Sequence, residues 1–372
     1  MHNQLDHIRE VLLMGPGPSC VHPRVYQALS RPTLGHLDPS FISIMDELKE
    51  HLRSLMQTDN TVTLPLSGTG SAGMEACFVN LIEPGDRVLI LVNGVFSMRM
   101  VEVASRLGAL VDTLEFSWGT PVDPAAVEKQ LDAHSYELVA MVHAETSTGV
   151  CNPVGEVSPL VRSTDALFLV DAVTSLGGME VAADAWGIDA LYSGTQKCLS
   201  CPPGLSPVTL SDRAFTKAKN RKQKVPNWYL DITLITGYWE GSKRAYHHTA
   251  PINMIYGLYE SLKLFFEEGR DAVFARHREM HALLASGLSQ LGLTMFVEEP
   301  YRLPMLNAVT IPESVEDEAA VRKRLLDEFC IEIGAGLGPL TGKIWRIGLM
   351  GHTAREDAVK RLLDAFDQVL SD

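Results

Sequence analysis

Two residues of opposite charge follow two apolar runs of the chain. The run Leu167–Val170 leads directly into Asp171, and the run Ile188–Tyr192 leads through a short polar segment to Lys197. Both runs have the length and the apolar content of buried strands. Because ligands bind at the carboxyl ends of the strands in an α/β sheet, we expect Asp171 and Lys197 to lie together at one edge of such a sheet.

An acid and a lysine in this arrangement suit pyridoxal phosphate (PLP). A lysine forms a Schiff base with the aldehyde of this cofactor, and an aspartate keeps the pyridine nitrogen protonated so that the ring can accept electrons. A structural ion pair beside a surface lysine is the alternative interpretation of the pair alone. Other residues of the chain must decide between the two interpretations.

A glycine-rich loop is the first of these. The apolar run Thr61–Leu66 leads into the loop Ser67–Gly73, and the apolar helix predicted for Met74–Ile82 follows at once. The loop offers backbone N–H groups, hydroxyls and a helix N-terminus, which together form a cradle for an anion such as phosphate. An ordinary turn between strand and helix is the alternative.

The same loop matches the GxGxxG pattern of dinucleotide-binding proteins at Gly68, Gly70 and Gly73. That pattern requires an acid at the end of the next strand, where it binds a ribose hydroxyl. The next predicted strand, Arg87–Val92, is followed instead by Asn93. The phosphate cradle is therefore favoured over a nicotinamide site.

Two further strand ends carry candidate ligand-binding residues. Phe96 follows the strand that ends at Val92, and it either packs in the core or stacks on a planar cofactor. The apolar run Val139–His143 precedes a hydroxyl-rich segment that contains Thr146. Thr146 either belongs to a turn or donates a hydrogen bond to a ring oxygen beside Asp171.

Substrate-binding residues are predicted at the two ends of the chain. Arg346 alternates with apolar residues in a short strand, where an unpaired guanidinium would be costly. It is explained either by a substrate carboxylate or by an internal acidic partner. Gly17, in the segment Gly15–Ser19, belongs either to a plain turn or to a loop that a substrate approaches closely.

Composition excludes some classes of protein. The formal net charge of −14 over 372 residues argues against a surface for nucleic acid or for an anionic membrane. Six cysteines in a chain of this length do not indicate a disulfide framework, and no signal peptide is evident, so a cytoplasmic location is expected. The CxxC motif at Cys198 and Cys201 has no second ligand pair, and the adjacent His247 and His248 cannot both face one ion from a regular helix, so no metal site is predicted.

The pattern of elements predicts the domain organisation. From Asn253 onward, long amphipathic helices are followed by short strands and further helices, which is typical of a smaller α/β unit. We therefore expect an N-terminal arm at residues 1–20, a large cofactor-binding domain at residues 21–253 and a small C-terminal domain at residues 254–372.

With these residues collected, the chain resembles the class V aminotransferases of PLP fold type I, especially the alanine–glyoxylate and serine–pyruvate aminotransferases. The most specific motifs are Val170-Asp171-Ala172-Val173, Tyr192-Ser193-Gly194-Thr195-Gln196-Lys197 and Tyr246-His247-His248-Thr249. The resemblance implies an α/β fold with a mostly parallel seven-stranded sheet between helices, plus a smaller C-terminal α/β domain. It also implies a homodimer with shared active sites and no nucleic-acid or membrane partner.

The resemblance further implies roles for individual residues. Lys197 carries the cofactor and Asp171 contacts its ring nitrogen, and these two are the catalytic residues. The implied cofactor-binding residues are Thr69, Gly70, Ser71, Phe96, Thr146, Asp171, Val173, Gln196, Lys197, Tyr246 and Thr249. Tyr246 and Thr249 are expected to cross to the cofactor of the other subunit. The implied substrate-binding residues are Gly17, Thr146 and Arg346.

The activity expected from the resemblance is a ping-pong transfer of an amino group from alanine or serine to glyoxylate or pyruvate. The ureidoglycine–glyoxylate aminotransferases are similar, but they carry amides where this chain has His36 and Tyr246, and a phenol cannot pair bidentately with a ureido group. Cysteine desulfurases have a histidine before the lysine, whereas Gln196 precedes Lys197 here. A binding protein without activity on the same fold is the distant alternative.

Overall fold

The computed structural model describes residues 3–241 and 243–371. Its α-helices are α1 (Pro23–Leu29), α2 (Pro39–Met56), α3 (Gly70–Leu81), α4 (Val95–Arg106), α5 (Pro124–Ala133), α6 (Val154–Arg162), α7 (Asp212–Lys219), α8 (Ile232–Trp239), α9 (Ile252–Glu268), α10 (Arg270–Gln290), α11 (Glu318–Phe329) and α12 (Glu356–Ser371). Its strands are β1 (Leu12–Leu13), β2 (Val62–Ser67), β3 (Arg87–Val92), β4 (Leu110–Glu115), β5 (Leu138–Val142), β6 (Ala144–Glu145), β7 (Val150–Cys151), β8 (Leu167–Asp171), β9 (Ala190–Tyr192), β10 (Leu205–Leu210), β11 (Thr294–Met295), β12 (Leu306–Thr310), β13 (Ile331–Glu332), β14 (Gly334–Ala335) and β15 (Ile344–Gly348).

A seven-stranded sheet forms the centre of the larger part of the molecule, in the order β2-β10-β9-β8-β5-β3-β4. Strand β10 is antiparallel to both of its neighbours, whereas the other pairs are parallel. Strands β5 and β8 are buried throughout, as expected for parallel strands that are covered by helices on both faces. The expected fold class is therefore confirmed.

Local sequence determines where several helices begin. Helix α2 begins at Pro39, and the side chain of Asp38 accepts a hydrogen bond from the Ser40 N–H. Helix α5 begins in the same way, with Asp123 before Pro124. Proline has no N–H group, and an N–H at the first helical position would have no intrahelical acceptor in any case. The aspartate accepts a hydrogen bond from a backbone N–H that would otherwise have no partner.

The C-terminal part contains an antiparallel sheet in the order β11-β12-β15-β14. A second apolar core, which includes Trp345 and Phe366, fills the space between this sheet and its helices. The N-terminal strand β1 pairs in parallel with β13, and the Gly348 N–H donates to the Met14 carbonyl at 2.7 Å. These bonds attach the start of the chain to the C-terminal sheet and direct Gly15–Ser19 toward the large sheet.

The structure differs from the predicted elements in detail. The helix predicted for Met74–Ile82 begins at Gly70 and ends at Leu81. The predicted domain boundaries remain predictions, and Met1, His2 and Asp372 lie outside the described residues. Within the described ranges, no helix has both the length and the apolar content that a membrane crossing requires.

Candidate active site

One cavity lies at the carboxyl edge of the large sheet, between the ends of β8 and β9 and the N-termini of α3 and α4. Its lining residues are Thr69, Gly70, Ser71, Met74, Phe96, Arg99, Asp171, Val173, Tyr192, Gln196 and Lys197. The sequence analysis predicted eight of these as cofactor-binding residues, and the fold brings them together from four separate segments of the chain.

Asp171 ends β8 and lies opposite Tyr192 in the register of β8 with β9. Its Oδ1 accepts from the Val173 N–H at 2.8 Å, and its Oδ2 accepts from the Tyr192 hydroxyl at 2.7 Å. Burial raises the pKa of Asp171 to about 6, although the bonds from Val173 and Tyr192 oppose the increase. The group is therefore mainly an oriented carboxylate at neutral pH, and its remaining lone pairs are free for a donor in the cavity.

Lys197 is only 9% exposed. Its Nζ donates to the Pro16 carbonyl, so the N-terminal segment contacts the lysine directly. Burial, together with the positive charge of Arg346, lowers the pKa of Lys197 to about 8. Roughly a tenth of this amine is thus uncharged at pH 7, and the uncharged amine is the form that attacks an aldehyde or accepts a proton.

Gly17 lies against the end of the same lysine. Its φ of +107° is in the region that favours glycine, and a Cβ at this position would lie 2.6 Å from Lys197 Nζ. The glycine therefore leaves the space that the lysine amine occupies. The structure accordingly places Gly17 at the lysine, on the side of the N-terminal loop.

The glycine-rich loop forms an open helix N-terminus. Helix α3 begins at Gly70, and its N-cap residue Thr69 makes no side-chain capping bond. The first N–H groups of a helix lack intrahelical partners, so they are available to an anion here. A Cβ on Gly70 would lie 3.1 Å from Val173 Cγ2, so glycine allows the loop to lie close to the segment after β8.

Gln196 and Phe96 complete the walls of the cavity. The Oε1 atom of Gln196 is buried without a hydrogen-bond partner among the described residues, so this amide keeps bonding capacity for a bound group. Phe96 is in the first turn of α4, and the Arg99 guanidinium lies 5.1 Å from the centre of its ring. Phe96 therefore borders the same cavity as Asp171 and Lys197.

Arg346, on β15, is 6% exposed and forms no ion pair with any described residue. Its Nε donates to the Ala335 carbonyl at 2.7 Å, and one terminal nitrogen donates to the Thr146 carbonyl at 3.3 Å. Burial lowers the pKa of Arg346 to about 10, although the charge of Glu145 opposes the change. The internal acidic partner that the sequence left open is not observed, and the guanidinium retains donors for a carboxylate from outside.

Thr146 is buried beside these groups but does not line the cavity with the other predicted residues. Tyr246 and Thr249 do not line it either. Tyr246 is 59% exposed, and its hydroxyl lies 3.2 Å from Thr249 Oγ1. The chain's own cavity therefore lacks these two side chains.

Sequence reasoning missed the roles of three lining residues, which are Met74, Arg99 and Tyr192. Tyr192 begins the motif that ends at Lys197. Its position at the end of the strand next to β8 could have linked it to Asp171. Arg99 lies three residues after Phe96, on the same face of a helix, so helical spacing could have identified it.

The cysteines and histidines that were considered as metal ligands have other partners. The thiol of Cys198 donates to the Thr174 carbonyl at 3.1 Å, and the ring of His247 stacks on Trp228 at 4.2 Å. Within residues 3–241 and 243–371, no group of three or more potential ligands is placed to bind a metal ion.

Comparison with known proteins shows the family. Residues 22–359 match the profile of the family described as aminotransferase class-V. The chain is 41% identical to the (S)-ureidoglycine–glyoxylate transaminase of Bacillus subtilis, over 96% of this chain and 90% of that protein. It is also 41% identical to the alanine–glyoxylate aminotransferase of Rattus norvegicus, over 96% and 87% of the two chains. The crystal structure of the alanine–glyoxylate aminotransferase of Nostoc sp. is similar with a TM-score of 0.95 and 47% identity, over 100% of both chains.

The chain belongs to the class V aminotransferases. It has PLP fold type I, and it is a PLP-dependent transaminase that acts on amino acids and keto acids. The residues of the cavity fit this cofactor: an uncapped helix N-terminus suits the phosphate, a buried carboxylate suits the ring nitrogen, and a buried amine with a lowered pKa suits the aldehyde.

Proposed function

We propose that this aminotransferase moves the amino group of alanine or serine to glyoxylate or pyruvate in a ping-pong reaction, as a cytoplasmic homodimer. The observation that carries the choice of acids is the single buried guanidinium of Arg346, which has no acidic partner in the described ranges. A guanidinium can donate two parallel hydrogen bonds to a carboxylate, and alanine, serine, glyoxylate and pyruvate each carry one carboxylate. The similarity to the alanine–glyoxylate aminotransferases of Rattus norvegicus and Nostoc sp. supports glyoxylate as an acceptor.

The residues of the cavity divide the chemistry among them. When bound, PLP supplies an electrophilic aldehyde and a ring that withdraws electrons from the substrate Cα. Asp171 holds a proton at the ring nitrogen, and the bonds from Val173 and Tyr192 fix its carboxylate. The Lys197 amine is the group that binds the aldehyde, and when it is released it moves the Cα proton as a general base. Its lowered pKa of about 8 suits this role near neutral pH.

Binding and orientation of the substrate fall to Arg346 and the backbone next to it. The guanidinium would hold the carboxylate, and the Ala335 and Thr146 carbonyls fix the guanidinium itself. Arg346 also lowers the pKa of Lys197, so the two groups act within one electrostatic site. A carboxylate held there places the Cα–H bond within reach of the amine, which is how orientation contributes to the rate.

The proposed dimer explains the exposed residues after α8. Tyr246 and Thr249 would complete the phosphate site of the other subunit, since they do not line the cavity of their own chain. Exposed apolar side chains at Trp228, Tyr229 and Leu234 lie in the neighbouring part of the sequence and would be covered by such an interface.

Ureidoglycine is the second candidate amino donor, because the protein from Bacillus subtilis that is named for it is 41% identical to this chain. The residues that argue against it are His36 and Tyr246, whose ring centres lie 5.1 Å apart. A phenol cannot pair bidentately with a ureido group, and the donor and acceptor nitrogens of an imidazole point in different directions, unlike the donor and acceptor of an amide.

A panel of donors and acceptors tests the proposal. The purified holoenzyme would be assayed with L-alanine, L-serine and ureidoglycine as donors, and with glyoxylate and pyruvate as acceptors. We expect the highest kcat/KM for alanine or serine, and Arg322→Ala, which removes a surface arginine paired with Glu318 on α11, serves as a control with unchanged kinetics. A higher kcat/KM for ureidoglycine would overturn the choice of donor, and no transfer from any donor would overturn the proposal.

A further inference from the structure

The N-terminus of α4, which carries Phe96, is capped by a segment from elsewhere in the chain. The N-cap residue Gly94 makes no side-chain capping bond. Instead the Val95 N–H donates to Ser147 Oγ at 2.9 Å, and the Ser97 N–H donates to Glu145 Oε2 at 3.2 Å. Glu145 and Ser147 therefore satisfy the N–H groups of Val95 and Ser97 in the first turn of the helix.

Glu145 is completely buried, and every group that contacts its carboxylate is a donor. Its Oε1 accepts from the N–H of Ser147 at 3.2 Å and from the hydroxyl of Ser147 at 2.6 Å, while Oε2 accepts from Ser97. A protonated carboxyl would bring a further donor into this set, so the arrangement favours the ionised form. Burial raises the pKa of Glu145, and the hydrogen bonds from Ser147, Ser97 and Phe96 oppose that increase.

The backbone makes room for this carboxylate. A Cβ on Gly94 would lie 2.3 Å from Glu145 Cδ, so the approach of the carboxylate to the helix requires glycine at this position. A serine or an aspartate as the N-cap residue would have satisfied the helix locally. Capping by the buried Glu145 carboxylate, from a distant segment, also connects α4 rigidly to the segment that follows β5. The last residue of β5, Val142, lies opposite Asp171 in the sheet.

We infer that Glu145 is a positioning residue for the cofactor: its buried carboxylate fixes the first turn of α4 and thereby holds the Phe96 ring against the PLP site. The inference rests on the proposed function, because it assigns Phe96 to the cofactor. Glu145 does not line the cavity, so it acts through the backbone of residues 95–97. The same segment supplies the Thr146 carbonyl to Arg346, so it contacts the elements on both sides of the site.

Glu145→Gln tests the inference with little change of size. In this variant the amide NH2 group must face either Ser147 or the N–H groups of Phe96 and Ser97, all of which are hydrogen-bond donors. The first turn of α4 therefore loses a hydrogen-bond acceptor. We expect the Kd for PLP to rise about tenfold or more, because a buried donor is left without its acceptor. The visible circular dichroism of the bound cofactor should change as well, since it reports the orientation of the ring. Glu156→Gln, which removes an exposed carboxylate on α6, is the matched control and should leave both readouts unchanged.

A double-mutant cycle with Phe96→Ala separates positioning from general destabilisation. If Glu145 acts through Phe96, Glu145→Gln should raise the Kd for PLP by less than about twofold when Phe96 is already alanine. An equal loss of affinity in both backgrounds, or wild-type affinity and dichroism in Glu145→Gln alone, would overturn the inference. Ser147→Ala keeps the charge and removes one hydroxyl donor, so it provides a milder test in the same direction should Glu145→Gln fail to fold. A wild-type protein that binds no PLP would instead refute the proposed function, before any variant is compared.

Discussion

Replacing Gly17 by alanine would place a methyl group where the Lys197 amine now lies. The new Cβ would lie 2.6 Å from Lys197 Nζ and 2.8 Å from Lys197 Cδ. Since nonbonded heavy atoms pack at about 3.5 Å or more, the lysine must move by roughly 1 Å. A misplacement of about 1 Å at a reacting group costs on the order of 10²-fold in rate, so kcat should fall by about 10²-fold.

Backbone strain must be separated from this contact. Gly17 has a φ of +107°, and an alanine with this φ costs about 1–3 kcal/mol of stability, independently of any contact with Lys197. Gly85→Ala is the matched control, because Gly85 has a φ of +91° and no atom within 4 Å of its added Cβ. Both variants should lose similar stability in thermal unfolding, while only Gly17→Ala loses kcat in the steady-state transamination assay. A kcat for Gly17→Ala within about twofold of that of Gly85→Ala would refute the role of this contact.

Three further predictions concern the charged groups and the dimer. Arg346→Ala should raise the KM for both the amino acid and the keto acid by about 10²-fold, because the carboxylate loses its charged partner, with little change in the Kd for PLP; an unchanged KM would remove Arg346 from the substrate site. In urea unfolding of the apoprotein, the stability of Asp171→Asn relative to the wild type should rise by up to roughly 3 kcal/mol as the pH increases from 3.8 to 6, because burial raises the folded pKa to about 6 and only the wild type carries the penalised carboxylate above its unfolded pKa of 3.8. The difference should be constant below pH 3.8, and a difference that is independent of pH throughout would contradict the shifted pKa. Mixing subunits of Lys197→Ala with subunits of Tyr246→Ala/Thr249→Ala should restore about a quarter of wild-type activity, since half of the dimers are mixed and each of these has one intact site; no recovery would contradict shared sites.

Most of the candidate site could be predicted from the sequence because its residues lie at the ends of apolar strands. Asp171, Lys197 and the loop at Thr69–Ser71 each follow such a run, and parallel strands bring their carboxyl ends to one edge. The hydrogen bond from Tyr192 to Asp171 could not be predicted, because it depends on the register between β8 and β9.

Long-range packing accounts for the rest. The contact of Pro16 with Lys197 joins residues 181 positions apart, and it depends on the pairing of β1 with β13. The two interpretations of Arg346 could not be separated either, since the absence of an ion pair between Arg346 and an acid among residues 3–241 and 243–371 is a property of the folded chain. The capping of α4 by Glu145 joins residues 48 positions apart, so only the fold shows it.

The most direct measurement is the site at which the cofactor is covalently attached. Borohydride reduction of the holoenzyme, followed by proteolysis and mass spectrometry, would fix the cofactor to the amine that binds its aldehyde. We expect the added mass on the peptide that contains Lys197, and none in the Lys197→Ala variant. Attachment to another lysine, or no attachment in a protein that is active as a transaminase, would contradict the assignment of this site.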